Sequence, residues 1–199
     1  MSKARLVGAA ATALTSILGA IFAVEGGYVN NPLDPGGETH HGVTKKVAVE
    51  SGYTGPMRDL TKEKAAAIYA SRYIEKPGFL PLVERDRWVA EETIDSGVNF
   101  GPYRPSCWLQ QTLNHLNDRQ RDYPDVVVDC KIGPATLAAF DALRKRRGDA
   151  LACELVVKLM DAKAAGEYMR LAGTNANSEA FMVGWTRTRL GNVDFRQCR

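Results

Sequence analysis

The sequence predicts a soluble, mainly α-helical protein with one short β/loop element after its first helix. Three observations carry that expectation. Hydrophobic residues make up 45% and charged residues 25% of the 199 positions, the balance of a globular chain long enough to bury a real core. Downstream of residue 44, most of the chain falls into stretches with apolar residues at three- and four-residue spacing. One loop, VEGGYVNNPLDPGGETHHGVT over residues 24–44, is too rich in Gly and Pro to be helix.

The first element is an uncharged run over residues 6–24, LVGAAATALTSILGAIFAV, preceded by Lys3 and Arg5. Its nineteen residues reach about the thickness of a bilayer's hydrocarbon core, and the positive flank keeps the N-terminus cytoplasmic while the rest is exported. Six Ala, two Gly, two Thr and a Ser dilute its hydrophobicity, and Leu14, Ile17, Leu18 and Ile21 form a single helical stripe. Three readings compete. A cleaved signal peptide fits poorly, because sites near Ala20 and Ala23 place Leu18 and Ile21 at the −3 position. A permanent anchor would be greasier. The favoured reading is a marginal span that inserts, leaves the bilayer, and then packs its stripe on the soluble domain.

After the Gly/Pro loop, Thr44 is an N-cap for a helix over KKVAVESG that Gly52 ends. YTGPMRDL reads as an extended linker. Residues 60–76 form a helix with Ala65, Ile68, Tyr69 and Tyr73 on one face, stopped by Pro77-Gly78. Residues 82–97 form another, with Trp88, Ile94 and Val98 inward, and Gly101-Pro102 breaks the chain. A helix from Arg104, a polar turn, a short apolar VVV at 126–128 with strand character and a helix over GPATLAAFDALRKRR follow. A long helix from Asp149 to about Ala172 has Leu151, Leu155, Val156, Leu159 and Tyr168 as its stripe, and EAFMVGWTRTRL closes the set. The basic run at 144–148 is a solvated helix C-terminus, where cations suit the dipole.

Net charge and cysteines bound the partners. A net charge of +3 suits an anionic polymer or membrane surface, and no basic stripe with interleaved aromatics points to nucleic acid. Cys107, Cys130, Cys153 and Cys198 lack the spacing of zinc or redox motifs, so in an oxidising compartment they form two disulfides. Three connectivities are open, with 107–130 and 153–198 preferred.

The loop at 24–44 concentrates the candidate chemistry. Glycosidic bonds are cleaved by a carboxylic acid that protonates the leaving oxygen, with a second carboxylate that stabilises charge or positions water. Glu25 follows an apolar segment, and partial desolvation raises a carboxyl pKa toward neutrality. Asp34 returns toward it if the chain forms a strand–turn–strand, and Thr39 and His41 lie further along the same loop. An exposed glycine loop with incidental acids remains the bland alternative on spacing alone. His40-His41 lacks metal-ligand spacing, no nucleophile elbow is present, and His115 reads as structural, so neither metal nor cofactor is expected.

Glu25-Gly26-Gly27-Tyr28, then Asn30, Asp34-Pro35-Gly36-Gly37, Thr39 and Gly42-Val43-Thr44, resemble the signature of glycoside hydrolase family 108, a family of N-acetylmuramidases found largely in phage endolysins and bacterial cell-wall hydrolases. Asp95-Ser96-Gly97-Val98-Asn99-Phe100-Gly101 is similar to its later D-x-x-V-N-x-G element. Leu109-Gln110 through Thr136-Leu137, with Phe181 to Trp185, resembles its C-terminal peptidoglycan-binding helical region. The resemblance implies a lysozyme-like, two-lobed, mainly α fold. It implies Glu25 as general acid, Asp34 and Thr39 as further catalytic residues, and Tyr28, His41 and Asn99 as sugar-contacting residues. His41 stands where the family often has an aromatic, and Val43 where it has Ile.

The expected organisation is a membrane segment over 1–24, a catalytic region over 25–103 and a peptidoglycan-binding-like region over 104–199. The expected protein is a monomeric phage endolysin acting on peptidoglycan in the bacterial periplasm for host lysis. Residues 6–24 resemble signal-arrest-release segments, which tether the enzyme inactive at the inner membrane until release. A lytic transglycosylase, needing one carboxylate only, and a non-catalytic wall-binding protein are the alternatives.

Overall fold

The computed structural model describes Ile17, Gly19 and residues 27–30 and 37–199. The chain divides into two compact units, the first extending to Lys76 and the second running from Pro77 to Arg199. It is mainly helical, with a small antiparallel sheet in the first unit, as expected. Ile17 is helical and fully buried, and Gly19 is helical and exposed. The rest of the 6–24 segment, Glu25 and Asp34 lie outside the described residues. Among the described residues no helix is long and apolar enough to cross a membrane.

In the first unit, β1 (Val29–Asn30), β2 (Glu38–His40) and β3 (Val43–Thr44) pair in that order, with Val29 opposite Thr39, Asn30 opposite Glu38, and His40 opposite Val43. Antiparallel strands therefore stand on either side of residues 31–36, as the expected strand–turn–strand requires, while the approach of Asp34 to Glu25 lies outside the described residues. His41 and Gly42 both hold positive φ, 49° and 72°, at the tight turn between β2 and β3. That backbone twist matches the twist of the strands it joins, and a glycine takes it without steric cost.

Helix α1 (Lys45–Glu50) starts at Thr44, whose hydroxyl accepts the Val47 amide proton, and Gly52 at φ 84° follows its end. The expected linker contains a 3₁₀ turn, Met57–Asp59, because Met57 and Leu60 are both drawn into the interior. Helix α2 (Lys62–Ala70) is capped by Thr61 and buries Ala65, Ile68 and Tyr69. The helix expected to continue to residue 76 widens instead into a π turn over Ser71–Glu75. The extra residue per turn rotates Ile74 into the core and leaves Tyr73 half-buried.

The second unit is a helical cluster around α7. It holds α3 (Leu80–Val83), α4 (Arg87–Phe100), α5 (Tyr103–Leu116), α6 (Pro134–Arg147), α7 (Asp149–Thr174) and α8 (Ala176–Thr188). Helix α7 packs on α4, α5, α6 and α8. The single helix expected over 82–97 is broken. The Asp86 carboxylate accepts from the Trp88 and Val89 amides, so it ends one helix and caps the next. Every residue of α4 from Val89 to Gly97 is buried, while Trp88 and Val98 are only partly so. A Cβ on Gly97 would lie 3.6 Å from the Phe79 ring and from Pro102, so this helix face is closed by its neighbours.

Three other expectations shift. The stripe of α7 is Cys153, Val156, Met160, Ala164 and Tyr168, whereas Leu151 and Leu159 face outward. A four-residue period carries that face, and the leucines lie one position to its side. The VVV segment forms no strand; Val126 exchanges two hydrogen bonds with the Asn114 side chain, which replaces a ladder partner. His115 is exposed on α5 rather than built into the core. The basic run at the end of α6 is solvated, with Arg144 on Asp149 and Arg146 and Arg147 on Asp122. Disulfides join Cys107 to Cys130 and Cys153 to Cys198, the preferred pairing.

Candidate active site

The sheet of the first unit organises the loop residues. Alternation along β2 sends Glu38 and His40 to one face and Thr39 to the other. Tyr28 joins the Glu38 face: its hydroxyl donates to Glu38 Oε1 at 2.8 Å and its ring meets His40 edge-on at 6.1 Å. The Arg58 guanidinium covers the Tyr28 ring 4.1 Å from its centre, and Lys45 Nζ lies 2.7 Å from Glu38 Oε2. The Lys45 bond, with that of Tyr28, holds the Glu38 carboxyl below its usual range, so Glu38 is an acceptor and not an acid. Its acceptance of the phenolic proton raises the Tyr28 pKa in turn.

His40 Nδ1 lies 2.7 Å from the Met57 carbonyl, which fixes its ring, and His41 stacks on it at 3.9 Å. Burial, then the neighbouring His40, lowers the His41 pKa, so His41 is a neutral imidazole at pH 7. Thr39 turns its hydroxyl to the Gly37 carbonyl at 3.3 Å, on the face away from Tyr28. The structure therefore brings Tyr28, His40 and His41 together and separates Thr39 from them. Asn99 belongs to the second unit, where its amide donates to the Asp95 carbonyl and carboxylate at 2.9 and 3.1 Å. No group of three or more metal-ligating side chains comes together among the described residues.

The second unit contains an acidic interior that residue-by-residue reading overlooked. Helix α4 buries Glu91, Glu92 and Asp95. Asp95 is paired with Arg189 at 2.9 Å, both side chains nearly inaccessible to water. Glu92 Oε1 takes only a 3.5 Å bond from Ser96, and its Oε2 has no hydrogen-bond partner. Burial, followed by the nearby Asp95 and Asp161 charges, pushes the Glu92 carboxyl well above the carboxylate range. The signal was the adjacency of acids to inward positions: Glu92 stands three residues from Val89 and from Asp95 on a helix buried all round.

The Glu92 shift predicts a pH dependence. Its folded pKa lies above its unfolded one, so between the two values the native state binds more protons. Stability is then highest below the unfolded pKa and falls as pH rises through the folded one. Glu92→Gln is expected to leave the melting temperature at pH 4 unchanged and to raise it at pH 8. A wild-type-like pH slope in thermal melts of the variant would contradict this.

The profile of the family described as Glycosyl hydrolase 108 matches residues 18–101, and that described as Predicted Peptidoglycan domain matches residues 104–190. Among solved structures, that of Brucella abortus SagA is 26% identical, with a TM-score of 0.65, covering 93% of this chain and 94% of that one. No curated protein matches this chain.

Proposed function

Since the chain belongs to glycosyl hydrolase family 108, with a peptidoglycan domain following the hydrolase domain, and so is a glycoside hydrolase acting on peptidoglycan, we propose that it is an N-acetylmuramidase using Glu25 as its general acid. The observation that carries the reading is the EGGY…DPGG…T…GVT motif, lying inside the hydrolase match, of which Thr39, Val43 and Thr44 stand in the small sheet. Glu25 protonates the oxygen leaving C1 of N-acetylmuramic acid, and Asp34 stabilises the oxocarbenium-like transition state or orients water. Neutral His41 and Tyr28, its hydroxyl directed by Glu38, suit contacts to sugar hydroxyls and ring faces better than proton transfer. Asn99, held on Asp95, is a further proposed sugar contact.

The biological setting is that of a monomeric phage endolysin, exported to the periplasm and tethered to the inner membrane through residues 6–24 until release. Both disulfides support an oxidising destination. Full burial of Ile17, a member of the Leu/Ile stripe, supports a released state in which that stripe packs on protein. While residues 6–24 span the bilayer, Glu25 is pinned at its surface, away from the wall polymer.

Mass spectrometry of fragments from purified peptidoglycan tests the reaction. Reducing N-acetylmuramic acid ends are expected, and anhydro ends would replace hydrolysis with transglycosylation. The same fragments, collected from expressing cells before and after collapse of the membrane potential, test the tether. Equal release in both conditions would remove it.

A further inference from the structure

The connection between α5 and α6, residues 117–133, has neither helix nor strand and is longer than the roughly 12–15 residues beyond which compact domains seldom leave a loop unstructured. It is nonetheless held rigidly. Asn114 exchanges two bonds with Val126, both 2.8 Å, and Gln110 reaches Asp129, the Lys131 carbonyl and the Cys130 amide. Tyr123 donates to the Leu113 carbonyl, Asn117 to Asp125, and Cys130 is bonded to Cys107. Asp118, Arg119 and Gln120 all adopt the left-handed backbone, at φ 48°, 58° and 62°. Three consecutive non-glycine residues in that region persist only where surrounding bonds over-determine them, and such strain gathers at ligand sites.

What this scaffold displays is apolar. Val127 is held 80% exposed, above a groove of about 440 Å³ floored by the small side chains of α6. Ala135, Ala138 and Ala142 line that floor, and Tyr123 and Val126 form the opposite wall. The ends are charged. Arg146 stands one helical turn beyond Ala142 on the same face, exposed and tied to Asp122 of the loop at 2.7 Å. Asp125 is on the lip.

We infer that this groove binds the peptide stem of peptidoglycan, as a second contact to the wall separate from the glycan cleft. The inference rests on the peptidoglycan reading above and names the part of the polymer that the C-terminal domain takes. A glycan strand needs many polar contacts and an exposed aromatic platform. This groove has methyl groups, and its aromatic ring is buried with the hydroxyl bonded to backbone. Peptide stems combine alanine methyl groups with free carboxylates and an ammonium group. The alanine floor matches the methyls, Arg146 a carboxylate, and Asp125 the ammonium. The rigid loop holds the wall in place before the ligand arrives, so little ordering is left to oppose binding.

The test uses the full-length protein with two separate probes: the free stem tetrapeptide, and glycan strands stripped of peptide by an amidase. Calorimetric or NMR titration with the tetrapeptide is expected to show binding that Ala138→Leu, which fills the exposed floor, weakens about tenfold. Arg146→Gln, at a solvent-facing position, is expected to weaken it about three- to tenfold and to remove its salt dependence. Hydrolysis of stripped glycan is expected to be unchanged in both variants. The inference is overturned if wild type does not bind the tetrapeptide, if Arg146→Gln binds it as wild type does, or if stripped glycan competes for the groove. Failure of wild type to cut stripped glycan would sink the muramidase assignment instead, with tetrapeptide binding judged on its own.

Discussion

Glu25→Gln is expected to abolish fragment release from peptidoglycan while leaving the helical circular dichroism and melting temperature at wild-type values. The amide keeps the shape of the side chain and removes the dissociable proton. Loss of a positioned general acid lowers a rate by about 10²–10⁴-fold, enough to suppress lysis within the span of an assay. Asp34→Asn separates the mechanisms further. A second carboxylate that stabilises the oxocarbenium ion or positions water makes this variant severely impaired, whereas a one-carboxylate transglycosylase would tolerate it. Full turnover by a folded Glu25→Gln enzyme would refute the assignment outright. The effect should exceed that of changing the proposed sugar contacts, because Tyr28, His41 and Asn99 offer hydrogen bonds and ring faces rather than a carboxylic acid.

The second large effect is on stability. Arg189→Met is expected to cost about 3–5 kcal/mol in urea unfolding at pH 7, because it leaves the buried Asp95 carboxylate without the guanidinium beside it. The two side chains are only 11% and 9% exposed, so solvent screens the pair little. Glu92 lies close enough to Asp95 to feel its charge, and burial keeps the Glu92 carboxyl well above the carboxylate range. The double variant Arg189→Met/Asp95→Asn is expected to be more stable than Arg189→Met alone, since removing both charges removes the uncompensated one. A cost below about 1 kcal/mol would place the pair with ordinary surface ion pairs. Arg189 follows α8 directly and Asp95 sits in α4, so the bridge fastens the C-terminal segment to α4. Tyr168 and Trp185, stacked at 4.8 Å, join α7 to α8.

Local chemistry was legible in the sequence wherever neighbours along the chain decide the conformation. Thr44 and Thr61 cap helices because their hydroxyls accept from amides three residues ahead, and Gly52 and Gly101 end helices by adopting positive φ. The Gly/Pro loop could only turn back on itself, and β1 and β2 pair accordingly. The motif around Glu25 pointed, without a single tertiary contact, to the hydrolase model that matches residues 18–101. Periodicity placed the helices and the Ala65–Ile68–Tyr69 face of α2, but only part of the inward face of α7. On α7 the leucines attracted the reading, whereas packing on four neighbouring helices selected the Cys153–Val156–Met160–Ala164 edge.

Tertiary structure alone decided what depends on partners distant in the chain. Val126 found the Asn114 side chain of α5 in place of a neighbouring strand. Glu38 became a bonded acceptor through Lys45 and Tyr28, and Thr39 was turned from them by the two-residue period of its strand. Glu92 is the plainest case. Its letter reads as a surface charge on an amphipathic helix, yet the helices around α4 exclude water from every side, and an excluded carboxyl keeps its proton. Sequence determined which groups the chain carries and their local geometry. Burial and long-range pairing, which set dielectric and partner for each group, determined what those groups are able to do.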